Sequence, residues 1–292
     1  MKIAIVTDSN SGISNEQAKE LGITVIPMPF LIDGEEYFEN VNLTQQEFYQ
    51  KLKQNADVST SQPSIYSIVE IWKELLKTHD QIVHIPMSSS LSGCYETALN
   101  FAKEFDGKVQ VVNNRRLSVT HGQSVLDAVK LASEGKNAIE IKEFLEKTAL
   151  DYSIYCLVST LKYLKKGGRI SPAVALIGSL LNIKPIMQFN GGKVEKFSQT
   201  ISSTLGKRKM VDTIIHDLKT KFAEQLKQGK IKICIAYTGD NDKNEKVEAF
   251  KTFVNNQLKP FNLEVSEVAQ LPLSIACHIG DGAIAIVCEY AY

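Results

Sequence analysis

The stretch Lys2-Ile3-Ala4-Ile5-Val6-Thr7-Asp8-Ser9 decides how the rest of the chain is read. Its short apolar run is rich in β-branched residues and ends in polar turn formers, the pattern of a buried strand rather than of a helix. A helix start follows at once, because Ser14 and Gln17 have the capping-box spacing in which each side chain satisfies the other's backbone N–H. The alternation then recurs. Residues 23–27, 81–86 and 109–113 read as further buried strands, Thr44 with Glu47 repeats the capping box, and Ile65, Ile68, Val69, Trp72, Leu75 and Leu76 form a helical core stripe over residues 64–78. Strands alternating with helices predict an α/β fold with a mostly parallel sheet in the first half.

Working outward, helices are expected over residues 117–133 and 138–150, and a strand over 154–158 leads into Lys165-Lys166-Gly167-Gly168-Arg169. The turn and charge signals of that cluster mark a domain boundary. The 292 residues therefore divide into an N-terminal α/β domain, residues 1–160, and a C-terminal α/β domain, residues 161–292. In the second, residues 183–189 and 193–197 flank Asn190-Gly191-Gly192, a hairpin signal. A long helix over 203–227, a strand over 231–237, a helix over 245–258 and strands over 263–268 and 283–288 complete it.

Composition excludes several classes. With 43% hydrophobic and 23% charged residues the chain is an ordinary globular one. Lys plus Arg equals Asp plus Glu, 33 against 33, so no bulk field favours nucleic acid or an anionic membrane. The N-terminal apolar run is too short for a leader, and nothing approaches the roughly 18 apolar residues of a spanning helix, so a cytoplasmic protein without stable membrane insertion is expected. Cys94, Cys156, Cys234, Cys277 and Cys288 are scattered without a C-x-x-C pair and read as small buried apolar residues, not as disulfides or metal ligands.

Enzyme signatures fail in the same way. There is no Walker A, H-E-x-x-H or G-x-S-x-G pattern. Gly280-Asp281-Gly282-Ala283-Ile284-Ala285 fits a relaxed dinucleotide fingerprint, but the seven residues that follow leave no room for the rest of such a site. Asp240, Asp242 and Asn244 mimic the start of a calcium loop whose later positions, Glu245 and Lys251, are wrong. What remains is hydroxyl density after predicted strands: Thr7, Ser9 and Ser11; Ser59, Thr60, Ser61 and Ser64; Ser88, Ser89, Ser90 and Ser92. In an open α/β sheet such loops line one crevice. The hydroxyls are either an anion site for one carboxylate or phosphate, with His278 as a possible further donor, or merely caps and turn formers.

Thr7-Asp8-Ser9, Thr60-Ser61-Gln62-Pro63-Ser64, Ser88-Ser89-Ser90-Leu91-Ser92-Gly93, Lys166-Gly167-Gly168-Arg169-Ile170, Ile183-Lys184-Pro185-Ile186 and His278-Ile279-Gly280 together resemble, in order, the landmarks of the DegV family. One departure is Gly280-Asp281-Gly282-Ala283, where the family usually has Gly-Pro-Gly-Ala. The resemblance implies a two-domain α/β protein enclosing one long-chain fatty acid, similar to the fatty-acid-binding subunit of a bacterial fatty acid kinase. It presents the carboxylate to a separate ATP-dependent fatty acid kinase subunit and does no chemistry itself. Carried over by position, Thr60 and Ser92 bind the carboxylate, Ser61 and His278 stand nearby, and Arg169 is either a partner-docking residue or a solvated loop arginine. No metal and no cofactor beyond the bound fatty acid are implied. Residues 26–32, 173–181 and 183–189 could line the tail tunnel or serve as ordinary core. A second class stays open: a small-molecule phosphotransferase or kinase subunit, with a phosphorylated metabolite in the crevice and His278 used covalently.

Overall fold

In the computed structural model, which describes residues 1–171, 174, 183–239 and 245–292, β1 (Ile3–Asp8) lies between β2 (Thr24–Ile26) and β6 (Gln81–Ile85). With β7 (Val109–Val111) outside β6 these make a fully parallel four-stranded sheet in the order β2-β1-β6-β7. Parallel strands need covered faces, and helices supply both covers. On one side the Ile65–Leu75 helix packs Ile68 and Trp72 against Ile82, Val109 and Val111. On the other, the Ser118–Ser133 and Ala138–Lys147 helices bury Val125, Leu131, Ile141 and Leu145 against Ile5, Val83 and Ile85. Both expected capping boxes form, at Ser14 and at Thr44.

A second, antiparallel sheet was not anticipated by the sequence pattern. It consists of β3 (Pro29–Ile32), β4 (Glu35–Phe38) and β5 (Val58–Thr60), in the order β4-β3-β5. Its signal is present: Asp33-Gly34, with φ of 53° and 89°, is a two-residue hairpin turn of the kind that matches strand twist.

The third sheet joins β8 (Tyr152–Leu157), β9 (Lys184–Phe189), β10 (Glu195–Thr200), β11 (Ile231–Tyr237), β12 (Val265–Gln270) and β13 (Ile284–Tyr290) in the order β10-β9-β8-β13-β11-β12. All its pairs are antiparallel except β11 with β12. The hairpin at Asn190-Gly191-Gly192 forms between β9 and β10. β8 pairs with both β9 and β13, so the third sheet begins at Tyr152, ahead of the expected boundary at residue 160. Residues Lys162–Gly167 are helical and close on Gly168, whose left-handed φ of 67° carries the turn.

The helix expected over 203–227 is divided into Ser203–Lys219 and Ala223–Lys227, because the chain turns between them to bury Phe222 completely. Residues 173–181, apart from Val174, and the calcium-loop mimic Asp240, Asp242 and Asn244 lie outside the described residues. All five cysteines are buried and free. Among the described residues, no helix is long and apolar enough to cross a membrane.

His84 and His121 sit inside the parallel-sheet half. Burial, with His121 beside it, pushes His84 down to about 3, and burial also lowers His121 although Asp8 pulls the other way. A histidine depressed in the folded state binds its proton first when unfolded, so stability is present above about pH 6.5 and is lost as pH falls towards the folded values. Each of these histidines should therefore lower the unfolding free energy as pH falls from about 6.5 to 5, by up to about 1.4 kcal/mol per pH unit, while the buried Glu289 carboxyl, raised to about 8, opposes them. The His84 contribution is read by difference: in urea titrations His84→Gln should lose less stability than the wild type between pH 7 and pH 5, and an equal change in the two proteins would contradict it.

Candidate functional site

A cavity of about 210 Å³ lies where the loops after β1, β5 and β6 face the Leu273–Ile279 and Lys162–Gly167 helices. Thr60, Ser61, Ser92, His278 and Arg169 all line it, so the structure brings together every residue singled out for the site. Four of the other hydroxyls are occupied elsewhere. Thr7 donates to the Ile85 carbonyl at 2.9 Å, Ser9 accepts from the Met28 N–H at 3.0 Å, Ser89 donates to Asn113 Oδ1 at 2.9 Å and Ser90 to the Gly192 carbonyl at 2.6 Å. These are long-range ties between segments rather than the local caps and turn bonds of the bland reading; a local bond of that kind is made by Ser92, whose Oγ accepts from the Cys94 N–H at 3.3 Å.

At the centre, Thr60 Oγ1 and His278 Nε2 are 2.9 Å apart. Thr60 ends β5, opposite Phe30 of β3, while His278 is in the last turn of the Leu273–Ile279 helix. That helix is tied at its start. The Leu273 N–H donates to Glu39 Oε2 at 2.7 Å, and Ser274 Oγ donates to Asn10 Oδ1 at 2.6 Å. Asn10 is oriented in turn by Asp8, which accepts from its Nδ2 at 2.7 Å and from the Met87 N–H at 2.8 Å. Asn10 and Ser274 are buried polar residues of the cavity wall that the hydroxyl pattern missed; only the neighbouring Thr7-Asp8-Ser9 pointed there.

His278 also needs a small neighbour. A Cβ on Gly167 would fall 2.1 Å from Nδ1, so the imidazole occupies space that only glycine leaves open. Burial, and then the positive charge of Arg169, push His278 down to about 4. The ring is neutral at pH 7, with one N–H donor and one acceptor. Arg169 is half-buried rather than freely solvated: Nε donates to the Leu91 carbonyl at 3.2 Å, and the guanidinium also donates to the Gly167 carbonyl. Ser92 donates to Cys94 Sγ at 3.0 Å, and because sulfur is a weak acceptor a carboxylate oxygen arriving in the cavity competes readily for that proton.

Behind this polar mouth the wall changes. Leu117, Ile275 and Ile279 are shared with a smaller cavity of about 40 Å³, whose floor is Ile154, Cys156, Ala236, Ala285 and Val287 on the inner face of the third sheet. Of the segments considered for a tail tunnel, residues 26–32 contribute Met28, whereas residues 183–189 line neither cavity. The apolar floor comes instead from alternate residues of β8, β11 and β13, which a sequence presents as ordinary strand core.

A family model described as "Uncharacterised protein, DegV family" matches residues 2–291. The chain is 32% identical over 287 residues to a DegV domain-containing protein of Staphylococcus aureus strain N315, covering 98% of each chain. Its fold is similar to that of a DegV family protein from Thermus thermophilus, described as binding fatty acid, with a TM-score of 0.85, 29% identity and coverage of 99% of this chain and 100% of that one. It is likewise similar to DegV from Bacillus subtilis, described as a fatty acid binding protein, with a TM-score of 0.80, 27% identity and 99% of each chain covered.

The close approach at Gly167 yields a direct test. Gly167→Ala should expel His278 from its place beside Thr60, cost about 1–3 kcal/mol of stability as overpacking does, and let the imidazole titrate nearer its ordinary value of about 6.5. Thermal unfolding and an NMR titration of the His278 ring measure both effects. A variant whose His278 still titrates near the wild-type position would show that this contact does not hold the ring.

Proposed function

This chain belongs to the DegV family, and from that premise we propose that it binds one long-chain fatty acid in the cytoplasm, with the carboxylate at Thr60 and Ser92, Ser61 and His278 beside it. The observation that carries this reading is the adjacency of the two cavities: a mouth of hydroxyls and a neutral imidazole shares the apolar wall of Leu117, Ile275 and Ile279 with a smaller cavity whose sheet-side floor is aliphatic or thiol. Such a shape suits a ligand with one anionic end and a long apolar body. Hydroxyl and imidazole N–H donors stabilise a carboxylate without the desolvated ion pair that a buried lysine would impose. Each buried methylene contributes roughly 0.8 kcal/mol, so a sixteen-carbon tail gains on the order of 10 kcal/mol before ordering costs. The two solved relatives described as fatty-acid binding support the same ligand class.

The finer part of the proposal concerns what happens to the carboxylate. Acyl-phosphate formation requires a positioned nucleotide and groups that neutralise developing phosphate charge. The sequence has no P-loop, and the cavity mouth offers hydroxyls and one arginine. The chain then acts as a carrier that presents its fatty acid to an ATP-dependent kinase subunit, with Arg169 at the mouth contributing to that docking. The alternative, a phosphorylated metabolite with His278 as phosphoryl acceptor, is less well served. His278 Nδ1 is walled by Gly167, Nε2 is engaged by Thr60, and the aliphatic passage behind them gives a compact polar metabolite nothing to bind.

Two outcomes follow for measurement. Thr60→Ala and Ser92→Ala should each weaken fatty-acid affinity by roughly tenfold or more, as expected for a hydrogen bond to a charged group, and the double variant should be non-additive because both contact one anion. Additive stability losses with unchanged affinity would return both residues to structural roles. In a hydroxylamine-trapping assay with ATP, magnesium and fatty acid, acyl phosphate should form only when the kinase subunit is added, and Arg169→Ala should lower that yield while leaving lipid affinity nearly unchanged. Product from this chain alone would refute the carrier role.

A further inference from the structure

Away from Thr60 and His278, the inner face of the third sheet changes from apolar to polar in successive rows. Cys156, Ala285 and Ala236 stand opposite one another in the first row, and Ile154, Val287 and Cys234 in the next. One period further along the strands the row is Tyr152, Glu289 and Lys232. The helix that packs over this face turns polar at the same level. Val119 lines the apolar passage, whereas Gln123, one turn on, accepts from Lys232 Nζ at 3.1 Å and donates to Asp127 Oδ1 at 2.7 Å. Beyond the row of Ile154 and Val287, the last that lines the cavity, both layers therefore present polar groups at one depth.

Glu289, which lines neither cavity, is the central member of that polar row. It is fully buried; among the described residues, Oε1 receives only the Cys234 thiol at 3.7 Å, and Oε2 has no hydrogen-bond partner. Arg116, itself buried, does not repair this, since its guanidinium donates to the carbonyls of Thr148, Ala149 and Thr120. Burial pushes the Glu289 carboxyl up to about 8 against the pulls of Arg116 and Lys232, so at pH 7 it is a neutral group with unmet hydrogen-bonding capacity. An alkyl chain pushed past Ile154 and Val287 would have to displace this buried side chain, and it would meet a polar group in place of apolar atoms.

We infer that Glu289 is the stop at the far end of the acyl passage and sets the longest fatty acid that this chain accepts. The inference rests on the fatty-acid reading above and deepens it, because it assigns chain-length selection to a residue remote from the carboxylate site. The methyl end of the preferred ligand reaches the row of Ile154 and Val287, and the Glu289 row, about 7 Å further along β13, closes the path.

The test is competition against a fluorescent fatty acid by a homologous saturated series from laurate to behenate. On the wild-type protein, affinity should rise about fourfold per added methylene, reach a maximum and then fall. Glu289→Ala should move the maximum to a longer acid. Glu289→Met, an apolar substitution of similar volume that removes the orphan oxygen and so preserves folding, should move it in the same direction, while the polar Glu289→Gln should keep the wild-type maximum. Laurate binding reports that each variant is folded. An unmoved maximum in both the Ala and Met variants would overturn the stop, whereas a wild-type protein that binds no member of the series would overturn the fatty-acid reading itself and the stop with it.

Discussion

The site depends on how one short helix is docked. Leu273–Ile279 comes from the end of the chain, yet its His278 meets Thr60 across 218 residues of sequence. Two polar ties fix that docking, Glu39 on the Leu273 N–H and Asn10 on Ser274, and both reach the helix from the first forty residues. Apolar packing completes it. Leu273, Ala276 and Cys277 share one core cluster with Phe30, Phe48 and Tyr49, so the three-stranded sheet and the helix are buried against each other rather than against the parallel sheet. Burial holds the Glu39 carboxyl above its ordinary range even though the Leu273 N–H favours its charge, which shows that this tie is made in a desolvated place.

Around that docking the electrostatics are sparing. His278 is kept neutral by burial and by Arg169, and the arginine spends its donors on the Leu91 and Gly167 carbonyls. The mouth therefore presents dipoles and one nearby positive charge, without a buried ion pair whose desolvation would have to be recovered. On the proposed function, the fatty acid's carboxylate supplies the charge. The same economy reverses at the far end of the passage, where the unpaired Glu289 oxygen is tolerated because it stays neutral.

Local chemistry was the legible part of this fold. Ser14 with Gln17 and Thr44 with Glu47 are helix starts in sequence and in space, since a capping box is complete within four residues. The position of β8 was not legible. Its neighbour β13 lies far along the chain, and no local pattern distinguishes a strand that ends one sheet from a strand that opens another. The candidate site was legible in its members more than in their reasons. Thr7, Ser9, Ser90 and Ser92 look alike as residues, and only the partners each finds in three dimensions separate ties between distant segments from cavity lining. The apolar passage was hidden for a related reason: Ala236, Ala285 and Val287 alternate with outward residues as any strand core does.

The central claim is that a single fatty acid occupies the enclosed passage with its carboxylate at Thr60 and Ser92. Native mass spectrometry of the folded protein, purified without detergent and then incubated with saturated and monounsaturated fatty acids, measures this most directly. The account predicts a mass excess of one fatty acid per chain that disappears on unfolding. A folded protein that carries no acyl adduct under any of these conditions would contradict it.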